Sequence, residues 1–206
     1  VQSVGASTAA PFSNVNGMPL AVEGRTYTSI DQIQGLIFSL VTPEYFRTQG
    51  LHLVSGRLLE DSDRAGTAPV IVLNEAAVKR FLPEGNPLGK RVMLGAPEHL
   101  LRPGMLPAGF DKFQWATVVG VVNDARYFGQ QNELPPAAYI PVRQSWDYPQ
   151  MRRSMLLLVR THQNALDAVP AVREIVRGLD SDLPVGRIAT VDMLVGDSLQ
   201  GIRFNT

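Results

Sequence analysis

Apolar residues recur along this chain in short runs bounded by glycine, proline and asparagine, a spacing that predicts strands far more often than long helices. Ile37–Val41, Val70–Leu73, Trp115–Val122, Ala137–Val142 and Met155–Arg160 are rich in β-branched and aromatic residues and read as strands. Gln2–Ser7, Leu20–Glu23 and Lys90–Leu94 read as shorter extended pieces, and the stretch from Phe12 to Gly17 reads as a loop. Helical spacing shows in fewer places. Ala77, Val78, Phe81 and Leu82 share a face of a helix over Glu75–Leu82, with Asn74 as its cap and Pro83 and Gly85 as its stop. Val169, Val172, Val176 and Leu179 form the apolar face of a second helix, opposite Arg173, Glu174 and Arg177. Asp167 is its expected cap, with Pro170 in the first turn, where no intrahelical N–H bond is lost.

Thr42-Pro43-Glu44 predicts a two-turn helix with Thr42 as cap, stopped by Gly50. The acidic run Glu60-Asp61-Ser62-Asp63 reads as a loop and a candidate boundary. Beyond Asp180–Pro184, Arg187–Ala189 predicts a short strand, and Thr190 caps a last helix carrying Leu194, Leu199 and Ile202. Strands and helices thus alternate without a regular βαβ repeat, which favours an α+β fold over a doubly wound sheet. Between the strands at 90–94 and 115–122 lies a long proline- and glycine-containing connection, Gly95–Phe113. Its apolar residues Leu100, Leu101, Met105, Leu106 and Phe110 sit where no continuous helix or strand forms. They either fold back over the neighbouring sheet or present a partner contact, for which Leu101, Met105, Leu106 and Phe110 are the candidates.

Composition narrows the function. Nineteen Lys and Arg balance nineteen Asp and Glu, so no net field draws nucleic acid or an anionic surface. Cysteine is absent, which removes disulfides, thiolate metal sites and thiol nucleophiles together. No apolar run approaches the ~18–20 residues of a spanning helix. The chain opens at Val1 without an initiator methionine or the pattern of a signal peptide, and reads as a piece of something longer.

Motifs that carry chemistry are scarce in the chain. Gly85-Asn-Pro-Leu-Gly89-Lys90-Arg91 is one residue short of a phosphate loop between its glycines, puts Arg91 where a hydroxyl would ligand magnesium, and loses an N–H at Pro87. Gly120-Val-Val-Asn123-Asp124 lacks the glycine pattern of a dinucleotide fold. His52, His99 and His162 have no metal-ligand spacing, and no serine sits in a G-x-S-x-G elbow. The acidic groups at 60–63 and 180–182 lack the glycine and terminal glutamate of a calcium loop. Neither a cofactor nor a catalytic residue is expected.

Several stretches, in order, resemble the extracytoplasmic domain of MacB/FtsX-like ABC transporter permeases. They are Val41-Thr-Pro-Glu-Tyr-Phe46, Gly50-Leu-His-Leu-Val-Ser-Gly56-Arg57, Val70-Ile-Val-Leu-Asn74-Glu75 with Phe81, and Asn86-Pro-Leu-Gly89-Lys90-Arg91. Trp115 to Asp124, Tyr139-Ile-Pro141, Leu183-Pro184-Val185 and the ending from Asp197 to Thr206 continue the series, which starts near residue 36. The resemblance implies a porter-like α/β unit of residues 1–65 and 151–206 with a smaller, β-rich, sabre-like unit, 66–150, inserted in it. It implies a non-catalytic domain on the periplasmic side, flanked by membrane helices. Such a domain couples their motion to an adaptor, carrier or cargo, while a cytoplasmic ABC ATPase hydrolyses the nucleotide. Two other readings remain open at this point: a periplasmic small-ligand binding domain, and a two-lobed hydrolase.

Overall fold

The computed structural model describes residues 1–9, 16–102, 114–124, 134–144 and 154–196. Among these residues, besides 3-10 turns and a helix over 191–196, the elements run in the order β1 (Ser3–Ser7), β2 (Asn16–Val22), β3 (Gly35–Val41), α1 (Tyr45–Gln49), β4 (Leu53–Gly56), β5 (Val70–Asn74), α2 (Glu75–Phe81), β6 (Arg91–Leu94), β7 (Trp115–Val122), β8 (Ala137–Pro141), β9 (Leu156–Arg160) and α3 (Val169–Leu179). The fold is α+β.

The strands form one sheet in the order β2-β6-β7-β5-β8-β3-β1-β9, with β4 added to β7. Residues 16–19 of β2 also pair with β3, while residues 20–22 pair with β6. The ring β2-β6-β7-β5-β8-β3 therefore closes on itself, which removes the open edges that an unclosed sheet would present. β3 with β8 and β5 with β7 run parallel; the other ladders are antiparallel. Strands of residues 1–65 hydrogen-bond with strands of 66–150 at β2–β6, β3–β8 and β4–β7.

Each face of the ring has its own core. Leu20, Leu36, Ile71, Val92, Val118 and Ala138 point one residue from every ring strand into a common cluster, and Ala77, Phe81 and Leu82 of the α2 segment complete it. On the other face Val41, Val72, Val122 and Tyr139 pack with Tyr45 and Phe46 of α1. Tyr45, Phe46 and Tyr139 meet edge-on or tilted with ring centroids 5.3–5.9 Å apart, the geometry aromatic quadrupoles favour.

Local signals explain where the elements start and stop. Asn74 caps α2 as expected, accepting from the Ala77 N–H at 2.9 Å. Gly50 ends α1 in the left-handed region at φ 83°. Thr190 accepts from the Met193 N–H at 3.2 Å and caps a helix described over 191–196. Three expectations need correction. Thr42 does not cap α1, because its hydroxyl is taken by the Ala6 N–H of β1 at 2.9 Å. Asp167 does not cap α3: a 3-10 turn at Ala165–Ala168, capped by Asn164, runs straight into the helix. Arg187–Ala189 forms no strand, and β4 is a strand where the spacing of Leu51, Leu53 and Leu58 around Gly56-Arg57 gave no clear signal.

Candidate functional site

Glu98–Leu100 forms a single 3-10 turn at the start of the long connection, and Leu101 follows it in extended conformation. The turn lies against the outer face of β2 and β6. There Ala21, Ile33, Met93 and Ala96 make a small buried cluster, with Tyr27, Ile30, Leu100, Leu101 and Trp115 packed around it. The connection leaves this cluster at Leu101 and returns to it at Gln114 and Trp115, because β6 and β7 are neighbours in the sheet.

A groove opens between those two points. Open to solvent, with a volume of about 460 Å³, it is lined by Pro69, Met93, Ala96, Pro97, Leu101 and Trp115 together with Arg91, Glu98 and Gln114. Arg91 is held by Glu23 at 2.8 Å, an ion pair half exposed on both sides. His99 reaches the Tyr27 carbonyl oxygen at 3.1 Å, which ties the 3-10 turn to the loop after β2. The groove's lining is mixed, with apolar residues beside a cation, a carboxylate and an amide, and so suits a surface contact with both apolar and polar groups. Of the candidate contact residues, Leu101 lines this groove and is half-buried. Met105, Leu106 and Phe110 lie outside the described residues.

The remaining motifs have structural occupations. In the Gly85–Arg91 turn the Leu88 N–H bonds the Asn86 side chain, the Gly89 N–H bonds the Val118 carbonyl and the Lys90 N–H bonds the Pro87 carbonyl. The donors a phosphate would need are thus spent inside the fold. His52, His99 and His162 are exposed and far apart in the sequence, with His162 bonded to Gln2 at 2.8 Å. Among the described residues no group of three His, Cys, Asp or Glu converges on a metal position.

The acidic loop after β4 is built around Asp63, which is almost wholly buried. Arg57 grips it with two nitrogens, at 2.7 and 2.8 Å, and the Glu60 N–H adds a third bond at 2.8 Å. Burial would raise the Asp63 carboxyl, but the hydrogen bonds from Arg57 and Glu60 and the guanidinium charge outweigh it and hold the carboxyl below its usual range. The bond to Asp63 correspondingly raises Arg57. Sequence reasoning had Gly56-Arg57 and Asp63 in separate motifs; their six-residue separation gave no sign that they form one clamp.

Comparison with known proteins follows the same lines. Residues 2–177 match the family profile described as MacB-like periplasmic core domain. A relative named macrolide export ATP-binding/permease protein MacB, from Aggregatibacter actinomycetemcomitans, is 35% identical over 83 residues, 40% of this chain and 12% of its own length. The periplasmic region of MacB from Actinobacillus actinomycetemcomitans superposes with a TM-score of 0.53 at 20% identity, covering 100% of this chain and 77% of that one. The extracellular domain of the noncanonic ABC-type transporter YknZ from Gram-positive bacteria gives a TM-score of 0.53 at 16% identity, with 88% and 77% covered. A domain of a putative permease protein from Porphyromonas gingivalis gives 0.51 at 15%, with 90% and 67% covered. These likenesses establish the fold.

Proposed function

Because this chain belongs to the MacB-like periplasmic core domain family, we propose that it is the non-catalytic periplasmic part of an ABC transporter permease, which transmits membrane-helix motion to a partner outside the membrane. The match over residues 2–177 carries this reading. ATP is hydrolysed by a cytoplasmic ATPase joined through the rest of the permease, and the partner is an adaptor, a carrier protein or the cargo. The closed ring of strands supports the role, since a packed ring moves as one body and passes force without deforming. The proposed contact takes in Leu101, which lines the groove beside Trp115, together with Met105, Leu106 and Phe110 further along the sequence.

Two measurements test the proposal together. Calorimetric titration of this chain with magnesium-ATP is expected to show no saturable heat, and Lys90→Ala is expected to change nothing. In the reconstituted permease with its ATPase, Leu101→Ser and Trp115→Ala are expected to leave basal ATP hydrolysis intact while reducing crosslinking to the periplasmic partner. Saturable nucleotide binding by the isolated chain overturns the non-catalytic reading. Undiminished crosslinking in both variants overturns the contact surface.

A further inference from the structure

Successive residues of a strand turn their backbone groups to opposite neighbours, which decides what the first half of β7 leaves unused. The Val118 N–H bonds the Lys90 carbonyl on the β6 side, and the Thr117 N–H bonds the Pro69 carbonyl on the β5 side, both at 2.9 Å. With Val92 opposite Ala116 and Met93 opposite Trp115, Ala116 therefore turns to β6, and the N–H and C=O of Trp115 turn to the β5 side.

β5 begins at Val70 and does not reach Trp115. In a parallel ladder the Trp115 carbonyl would accept from residue 69, but Pro69 has no N–H to give. The residues before it are drawn away. Gln144 donates to the Thr67 hydroxyl at 2.8 Å and to the Ala68 carbonyl at 3.0 Å, and accepts from the Val70 N–H at 3.0 Å. The Ala65 N–H bonds the Arg143 carbonyl at 3.0 Å, so 65–68 follow the end of β8 instead of β7. Among the described residues no backbone group pairs with the N–H or the C=O of Trp115.

This open stretch of strand borders the groove, since Pro69 and Trp115 both line it, as do Pro97 and Leu101. The charges in the lining are not balanced. Arg91 is met by Glu23 at 2.8 Å, whereas Glu98 is exposed and has no cation beside it among the described residues. We propose that the groove takes an extended polypeptide segment that adds to β7 at Trp115. One carbonyl of the segment accepts from the Trp115 N–H, and one of its N–H groups donates to the Trp115 carbonyl. A large apolar side chain of the segment lies against Leu101 and Pro97, and a neighbouring lysine or arginine reaches Glu98. Strand addition takes affinity from main-chain bonds and selectivity from side-chain contacts, so the basic residue decides which segments are accepted. That the segment belongs to a periplasmic partner rests on the transporter reading above.

The 206-residue chain alone suffices for the test, whose failure is distinct from failure of the transporter reading, since crosslinking in the reconstituted permease decides the latter. Selection of a displayed library of random dodecapeptides against the chain is expected to enrich lysine or arginine next to a large apolar residue. The same selection on Glu98→Lys is expected to enrich aspartate or glutamate there instead, with circular dichroism unchanged because Glu98 is exposed. A synthetic peptide of the enriched sequence is expected to slow exchange of the Trp115 amide about tenfold or more. N-methylation of that peptide at the residue facing Trp115 is expected to weaken binding about fivefold or more. No enrichment, an unchanged charge preference in Glu98→Lys, or a Trp115 amide left unprotected by the peptide overturns the proposal.

Discussion

Asn74 is fully buried and joins three elements at one point, so its removal tests whether this junction holds the ring together. Its Oδ1 accepts from the Ala77 N–H at 2.9 Å, starting α2, and from the Ala137 N–H at 2.7 Å, starting β8. Its Nδ2 donates to the Pro135 carbonyl at 2.9 Å. In Asn74→Ala the cap costs about 1 kcal/mol, softened because Asp124 still accepts from the Ala76 N–H. The buried Ala137 N–H loses its partner outright, which costs about 1–3 kcal/mol, while the Pro135 carbonyl, only half-buried, finds water. The total is about 2–4 kcal/mol, a large share of the ~5–15 kcal/mol that stabilises a typical domain. Urea unfolding followed by circular dichroism is expected to show the midpoint falling by about 1–2 M at unchanged slope. Asn74→Asp gives a mechanism-specific check. It keeps both accepted bonds but sets a buried carboxylate against the Pro135 oxygen, and only its protonated form can donate there. Its folded-state pKa is therefore raised, and its deficit relative to wild type should be small at acid pH and grow as pH rises. A loss under about 1 kcal/mol for Asn74→Ala, or a pH-independent Asn74→Asp, refutes the junction.

Gly120→Ala and Gly56→Ala should each unfold many degrees earlier in a thermal melt, by about 3 kcal/mol or more. The new Cβ of the first lands on the Arg57 carbonyl oxygen, and that of the second on the Val119 carbonyl oxygen at φ 76°. Gly5→Ala should behave similarly, since its Cβ would come 2.6 Å from the Tyr45 Cα, a contact whose relief must shift α1. For Asp63, whose folded-state pKa is depressed, the stabilisation is present above the unfolded value near 4 and is lost as pH falls through the folded value. Asp63→Asn should cost about 1–2 kcal/mol at pH 7, given screening of the partly exposed Arg57. It should also flatten the acid limb of the stability profile, and an unchanged acid limb refutes the clamp.

Local features of the fold were legible where a single stretch of chain carried its own cause. Asn74 before an apolar helix, Gly50 after Gln49, and the β-branched run from Trp115 to Val122 each act on their own neighbours, and each element stands where the pattern put it. The misplacements share a physical reason. Thr42 has the chemistry of a cap, yet the Ala6 N–H, 36 positions away, competes for its hydroxyl and wins. Leu53-Val-Ser-Gly56 shows no clean alternation because β4 is an exposed strand whose place is set by close approach to Gly120 of β7. Gly5 gave no local hint either, since its requirement comes from the backbone of α1 crossing over β1.

Closure of the ring was illegible for a related reason. β2 must divide its length, pairing residues 16–19 with β3 and residues 20–22 with β6, and nothing in Asn-Gly-Met-Pro-Leu-Ala-Val marks that division except Pro19. Pro19 sits at the changeover, its carbonyl accepting from the Gly95 N–H at 2.8 Å on the β6 side while the Leu20 N–H still bonds the Gln34 carbonyl on the β3 side. The groove inherits this logic. Leu101 stood out as an apolar residue in a loop that cannot be regular, but Trp115 and Met93 looked like ordinary strand residues. They line the groove only because β6 and β7 pair with Met93 opposite Trp115. Met93 of the groove lies on β6, which β2 holds in the ring, so a substitution that reopens the ring at Pro19 should disturb the groove before it disturbs the α1 face, where Tyr45, Phe46 and Tyr139 pack independently of β2.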